Sequence, residues 1–326
     1  MLCDSLWFEN EICIAYGDSN VGKSVFAIQL ANAISNGQSF SGITIDCQSQ
    51  KVIYIDFEMS SLQMLVRYSC DEGIFQFSDL LIRAELDPDK IEDGKLVEEC
   101  ILNAIEGLVV ETQARIIVID NLTFLSADHE RAKEALSLMK KLKKIKASYC
   151  LSMLILAHCP KRSMQFPITK NDLAGSAMIL NFADSAFAFG KSATSESVRY
   201  IKQIKSRNSA IIYGTDKVCL FEIIKVSNFL CFSFKGYACE RDLLKVPNDE
   251  GKEALSGNVL SLSKAGKSQR EVSRLTGLSL SKVNRLIRSS QGSTPIDTGC
   301  DSNPIKNGEF EFGPDKNDYN YEPFEL

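Results

Sequence analysis

The chain has 326 residues, 44% of them hydrophobic, which suits one large domain with a small companion. No stretch approaches the ~18 apolar residues of a membrane span, no basic-then-apolar leader opens the sequence, and eleven scattered cysteines without a CxxC pair, with only two histidines, exclude a disulfide framework and a zinc site and fit a reducing cytoplasm. The net charge of −5 hides an asymmetry: Lys252 to Ser290 holds eight basic residues against two acidic ones, and Gln291 to Leu326 holds eight acidic residues against two basic ones, the pattern of a basic nucleic-acid-binding segment followed by an acidic tail.

The first element, Glu11 to Tyr16 (EICIAY), reads as a buried strand. GDSNVGKS follows, and then an apolar stripe at helical spacing, Phe26, Ala27, Leu30, Ala33 and Ile34. Strand, glycine loop and helix form the setting in which Gly17, Asp18, Ser19, Asn20, Val21, Gly22, Lys23, Ser24 and Val25 would cradle the phosphates of a nucleotide. Gly17 and Gly22 let the backbone fold back so that its N–H groups point at anionic oxygens, and the helix start adds positive dipole. Lys23 would reach the β- and γ-phosphates of ATP, and Ser24 would ligate Mg²⁺. A second GKS, Gly190 to Ser192, lacks both the upstream glycine and a following apolar helix.

Apolar runs alternate with helical patterns through the first ~240 residues, which predicts an α/β domain with a mostly parallel central sheet. A strand over Lys51 to Ile55 precedes a helix near Ser60 to Cys70, a strand over Leu80 to Ala84 and a long helix from Lys95 to Gln113. Asp56 and Glu58 lie just past the second strand, two residues apart, and in extended chain would face the same way. Either could orient water, or serve as a surface acid or a helix cap, a role that suits Asp56. The strand RIIVID delivers Asp120 to the Mg²⁺ region, and Asn121, Leu122 and Thr123 after it offer no second carboxylate. A lysine-rich helix covers Glu130 to Ala147, LSMLILAH is another buried strand, and three β-rich stretches follow: SAFAFG, VRYIKQIKS and VCLFEIIKVSNFLCFSF.

This order of features resembles the RecA-like branch of P-loop ATPases, which includes DnaB-type and RepA-type hexameric helicases and RadA. The resemblance covers roughly residues 5 to 235. It implies a catalytic set of Lys23, Glu58, His158, Lys205 and Arg207. Glu58 stands where those families carry the catalytic glutamate, and His158 ends a strand, LILAH, that carries their γ-phosphate sensor. DLAGSAMILNFADSAFAF is similar to their Gly-Ser helix and Ala-Asp strand. Lys205 and Arg207 match a Lys-x-Arg finger that reaches a neighbour's γ-phosphate, where an arginine is worth ~10³ or more in rate. In RecA-like rings, loops near Lys161, Arg162 and Lys170 line a central pore that holds DNA. The short RepA-like plasmid ATPases fit best, because the chain starts almost at its first strand without the primase-binding region of DnaB-type enzymes. The resemblance therefore implies a homo-oligomer, a hexameric ring.

The composition changes at VPNDEGK, residues 246–252, which reads as a linker after an ATPase domain over 1–245. Three helices are expected within 253–290: Glu253 to Ala265, Ser268 to Thr276 and Ser279 to Ser290. KSQREVSRLTGLSLSKVNRLIRSS resembles a helix-turn-helix of the resolvase or sigma-factor type. Val272, Leu275, Leu278, Val283 and Leu286 would form its core, Gly277 its turn and Ser279 its cap. Ser281, Lys282, Asn284, Arg285 and Arg288 would face bases and phosphates of DNA. Residues 291–326 read as an acidic disordered tail that solubilises the chain, competes with DNA for the basic module or docks on a protein partner.

These features imply an ATP-hydrolysing, ring-forming motor on DNA, a replicative helicase or replication-initiation ATPase of a plasmid or other mobile element. Two alternatives remain: an ATP-switched DNA-binding regulator, and a recombination-associated RadA-like ATPase. Neither would unwind duplex.

Overall fold

Six of the apolar runs become the parallel part of a nine-stranded sheet in a computed structural model. It describes residues 1–85, 97–121, 131–159, 162–173, 177–245, 249–276 and 278–290. These fall into two units, Met1–Pro247 and Asn248–Leu326. In the first unit β1 (Ile12–Gly17) leads to α1 (Lys23–Asn36), β2 (Val52–Asp56) and α2 (Ser61–Arg67). A two-stranded hairpin, β3 (Ser69–Cys70) and β4 (Gly73–Ile74), then precedes β5 (Leu81–Glu85). The expected helix to Cys70 therefore stops at Arg67. Next come α3 (Val97–Thr112), β6 (Ile116–Asp120), α4 (Arg131–Tyr149), β7 (Ser152–His158), α5 (Ala177–Phe182) and β8 (Ser185–Lys191). The remaining strands are β9 (Val198–Lys205), β10 (Val218–Val226) and β11 (Phe229–Ala238). The last β-rich stretch folds as a hairpin that reverses at Ser227, whose φ is 53°.

The strand order is β11-β10-β9-β8-β1-β7-β6-β2-β5, with β9, β10 and β11 antiparallel to their neighbours. Strands β1, β2 and β6 are buried along their whole length because helices cover both faces. One face packs residues of α3 and α4, among them Ile105, Leu138, Leu142 and Ile145, against Ile14, Ile53 and Ile117. The other face packs α1 with Leu2, Leu6 and Trp7 from the chain start. Phe26 sits at its centre, edge-on to Phe40, Phe187, Phe189, Phe221 and Phe232. The register sets Gly17 beside His158 and Asp56 beside Asp120. The carboxyl ends of four parallel strands thus gather in one place, where open α/β sheets bind ligands.

A buried ion pair locks β9 to the segment after β11. Lys202 Nζ donates to Glu240 Oε2 at 2.5 Å and to the Ile168 carbonyl at 2.7 Å, while Glu240 Oε1 accepts from the Ile168 amide at 2.7 Å and the Tyr200 hydroxyl at 3.2 Å. Removing one charge strands the other in the interior. Glu240→Gln should therefore lose about 3–5 kcal/mol of stability, read as a fall in the urea midpoint. A loss below about 1 kcal/mol would show that water solvates the pair.

In the second unit α6 (Asp249–Lys264), α7 (Gln269–Thr276) and α8 (Leu280–Ser290) pack on one another. Val259, Val272, Leu278, Val283 and Ile287 are buried there. The expected core differs at three residues: Leu275 is exposed, Leu286 is half-buried, and Ile287 is buried in their place. Helix α8 turns its Val283–Ile287 row inward, an i,i+4 pair, leaving Leu286 on the flank. Ser279 Oγ accepts from the Lys282 amide at 3.4 Å, as expected of a cap. Gly277 and the tail over 291–326 lie outside the described residues. Among the described residues no helix is long and apolar enough to cross a membrane.

Candidate nucleotide site

The loop after β1 owes its shape to two glycines. Gly22 caps α1 in a left-handed conformation, φ 99°, and Asn20 is also left-handed at φ 59°. A Cβ on Gly22 would lie 2.5 Å from Ile223 Cδ1, and one on Gly17 would lie 2.7 Å from the Phe189 carbonyl oxygen. Both positions thus answer to packing from β8 and β10 as well as to the turn. The first turn of α1 carries no acidic residue, so its positive end faces the cleft without a competing carboxylate.

Lys23 is buried. Its Nζ donates to the Gly17 and Asp18 carbonyls at 3.0 and 2.9 Å and lies 3.3 Å from His158 Nδ1. Burial pulls its pKa down, and the nearby Glu58 and Asp120 carboxylates pull it back. Asp120 is buried at the end of β6, and its Oδ2 accepts from the Tyr54 hydroxyl at 2.6 Å. Burial pushes its carboxyl up to about 6, against the lowering effect of the Tyr54 and Ser24 hydroxyls. Its Oδ1 is buried with no hydrogen-bond partner, as is Oδ1 of Asp18. A bare carboxylate oxygen in the interior is costly unless a cation or donor meets it. The residues therefore fit a divalent cation. Ser24 and Asp120 would hold Mg²⁺, which would supply charge neutralisation for a triphosphate.

Glu58, Asn121 and His158 form a second cluster. Glu58 Oε1 accepts from the Asn121 side-chain amide and lies 3.0 Å from His158 Nε2; Asn121 Nδ2 lies 2.8 Å from the same nitrogen. Lys23 meets the imidazole at Nδ1, and Glu58 and Asn121 meet it at Nε2, so the ring bridges the phosphate-loop lysine and the carboxylate. The His158 hydrogen bond is the main reason that the Glu58 carboxyl titrates below its usual range, and Lys23 and Asn121 add to it. An ionised carboxylate next to the phosphate loop can orient water and take its proton.

Asp56 does not share this role, although spacing put it on the same side. The chain bends after β2, and Asp56 is buried. Its Oδ1 accepts from the Glu58 and Met59 amides at 3.0 and 2.9 Å, and its Oδ2 accepts from Arg83 at 2.8 and 3.0 Å. It is not the helix cap either: Ser60 caps α2 in a capping box with Gln63.

These groups open onto a cleft of about 570 Å³ lined by Ser19, Asn20, Lys23, Ser24, Glu58 and His158, and also by Arg67, Ile223 and Leu230. The last three have no local signal in the sequence, since the end of α2 and the β10–β11 hairpin reach the cleft only through tertiary packing. Asn121 was visible after Asp120, but its side chain gains meaning only from the register that sets β6 beside β2 and β7.

The remaining site candidates lie elsewhere. Lys205 donates to the Leu180 and Ala183 carbonyls at 2.6 and 2.7 Å, and Arg207 pairs with Asp184 at 2.9 Å and the Asn181 carbonyl at 3.1 Å. Both sit where α5 ends and β8 begins, at the end of the sheet opposite the phosphate loop. Arg162 is spent within the chain, donating to the Phe166 carbonyl at 2.9 Å and to Tyr200 at 3.5 Å. Lys170 is exposed, and Lys161 lies outside the described residues. On α8, Ser281, Lys282, Arg285 and Arg288 are exposed, and Asn284 is half-buried.

A family model described as an AAA domain matches residues 1–164, just over half of the chain. No curated protein matches. The matched stretch contains the phosphate loop, Glu58, Asp120 and His158, on a sheet that fits a RecA-like core, and the chain belongs to this AAA domain family of P-loop ATPases.

Proposed function

We propose that this ATPase is a ring-forming motor on DNA, a replicative helicase or replication-initiation ATPase of a plasmid or mobile element. The observation that supports it best is the separation of its charged groups. The cleft lined by Lys23, Ser24, Glu58 and His158, with Asp120 buried at the end of β6, stands at one end of the sheet, and Lys205 and Arg207 stand at the other. Such a layout completes each site from a neighbouring subunit, so that hydrolysis moves subunits against one another. Ile223 and Leu230 would flank the base of ATP, with Arg67 as its polar contact. Lys170 would face DNA from the loop after His158, and the basic face of α8 would hold duplex. The test is unwinding of a forked duplex: strand separation that needs ATP and Mg²⁺ and fails in Lys23→Ala supports a motor. Salt-sensitive, site-specific duplex binding without strand separation would favour the second reading, an ATP-switched regulator, which the exposed row Lys282, Arg285 and Arg288 supports.

A further inference from the structure

The turn that carries Glu58 is gripped from outside the cleft. Asp56 and Met59 begin and end it, and Arg83 of the neighbouring strand β5 holds both. Its Nε and Nη2 donate to Asp56 Oδ2 at 3.0 and 2.8 Å, and Nη2 also donates to the Met59 carbonyl at 2.6 Å. The remaining nitrogen, Nη1, meets Glu85 and, at 3.4 Å, Ser61 Oγ. Within the turn Asp56 Oδ1 accepts from the Glu58 and Met59 amides, and the Phe57 amide donates to the Asp120 carbonyl at 2.8 Å. The register explains the reach. Arg83 lies beside Tyr54 in the β2–β5 ladder, and Tyr54 and Asp56, two residues apart, share a face of the sheet.

The Asp56 side chain is wholly buried and that of Arg83 is 18% exposed, so this pair is a fixed part of the interior. The Glu58 side chain, by contrast, is 42% exposed and is met by His158 and Asn121. A carboxylate so open to solvent takes its place from its backbone and from those few hydrogen bonds. Arg83 does not line the cleft, yet the groups it holds stand on either side of Glu58 in the chain. A guanidinium is a planar fork that can hold a carboxylate with two N–H groups and still reach a carbonyl, whereas an ammonium is a point donor on a flexible stem.

We propose that Arg83 is a positioning residue for ATP hydrolysis. It holds the Asp56–Met59 turn so that Glu58 stays within reach of His158 and of water at the γ-phosphate. Arg83 touches neither the nucleotide cleft nor Glu58 itself, and it acts through Asp56 and the Met59 carbonyl. The inference rests on the reading of Glu58 as the group that orients water.

The test is Arg83→Lys in the full chain, which keeps a positive charge beside Asp56 and removes the fork. Circular dichroism should show an intact fold, and a fluorescent ATP analogue should bind within about twofold of wild type, while kcat falls about ten- to hundredfold, as when a catalytic group is slightly displaced. The deciding measurement repeats the change in a Glu58→Gln chain, by single-turnover hydrolysis of radiolabelled ATP. Because Arg83 acts through Glu58, Arg83→Lys should cause no further loss there. An equal fall in both backgrounds would show that Arg83 acts apart from Glu58 and would overturn the inference, as would wild-type kcat in Arg83→Lys. If Arg83→Lys does not fold, Asp56→Asn takes its place. It removes the carboxylate that Arg83 grips at almost the same volume, and its fall in kcat should likewise vanish in the Glu58→Gln background. Full turnover in Glu58→Gln sinks the reading of Glu58 and this inference with it. An inactive Glu58→Gln beside a fully active Arg83→Lys sinks this inference alone.

Discussion

Glu58→Gln should bind ATP as the wild type does and lose hydrolysis by about 10²–10⁴-fold, the usual worth of a positioned general base. Glutamine keeps an oxygen that can accept from His158 and from Asn121, so the cluster keeps its shape. It removes the charge and the basic lone pair. The direction of the Glu58 pKa matters here: the His158 hydrogen bond holds it below the ordinary carboxylate range, so at neutral pH the group is ionised and ready to take a proton. Asp56 cannot replace it. Both of its oxygens are committed, one to two backbone amides and one to Arg83. Equilibrium binding of a fluorescent ATP analogue, set against phosphate release, separates the two effects. Full turnover in Glu58→Gln would place the proton acceptor outside this cluster.

The phosphate loop was legible because its chemistry is local. Gly17, Gly22, Lys23 and Ser24 sit within eight residues, and the strand before and helix after them follow from simple periodicity. Asp120 was legible for a related reason, since a fully apolar strand that ends in a carboxylate announces its direction. The partition between Asp56 and Glu58 was not legible from spacing. It depends on Arg83, which arrives from β5, and on a bend that turns Glu58 toward β7. Helical periodicity likewise placed Leu275 and Leu286 in one small core, whereas the rotation of α8 decides for Ile287. Arg67 and Leu230 line the cleft by long-range packing alone, as Tyr68, just after α2, packs at a tilt against Phe229 of β11 with 5.5 Å between ring centroids. Sequence carries what neighbours in the chain determine, and register and packing carry the rest.

The largest effect expected at a distance from the cleft is that of Arg207→Ala, a fall in hydrolysis of about 10³-fold with ATP binding kept. Arg207 cannot serve its own cleft. In the β8–β9 ladder Lys205 pairs with Ala186, whereas Gly17 of the loop lies beside Phe189. Three residues of strand put Lys205 about 10 Å below the loop, and Arg207 follows it away from the loop. Its guanidinium is half-exposed and holds Asp184 in a surface pair. Such a pair is worth about 0–1 kcal/mol, so a phosphate on a neighbouring subunit can draw the side chain away at little cost. Lys23→Ala should be equally inactive for the opposite reason, a damaged cleft with an intact finger. When the two inactive variants are mixed, a joint is competent where an Arg207→Ala cleft meets the finger of a Lys23→Ala subunit. Random head-to-tail assembly makes about a quarter of the joints competent, so the mixture should recover up to about that share of wild-type turnover. Action in cis predicts no recovery at any mixing ratio, and that result in assembled mixtures would remove Arg207 from the reaction between subunits.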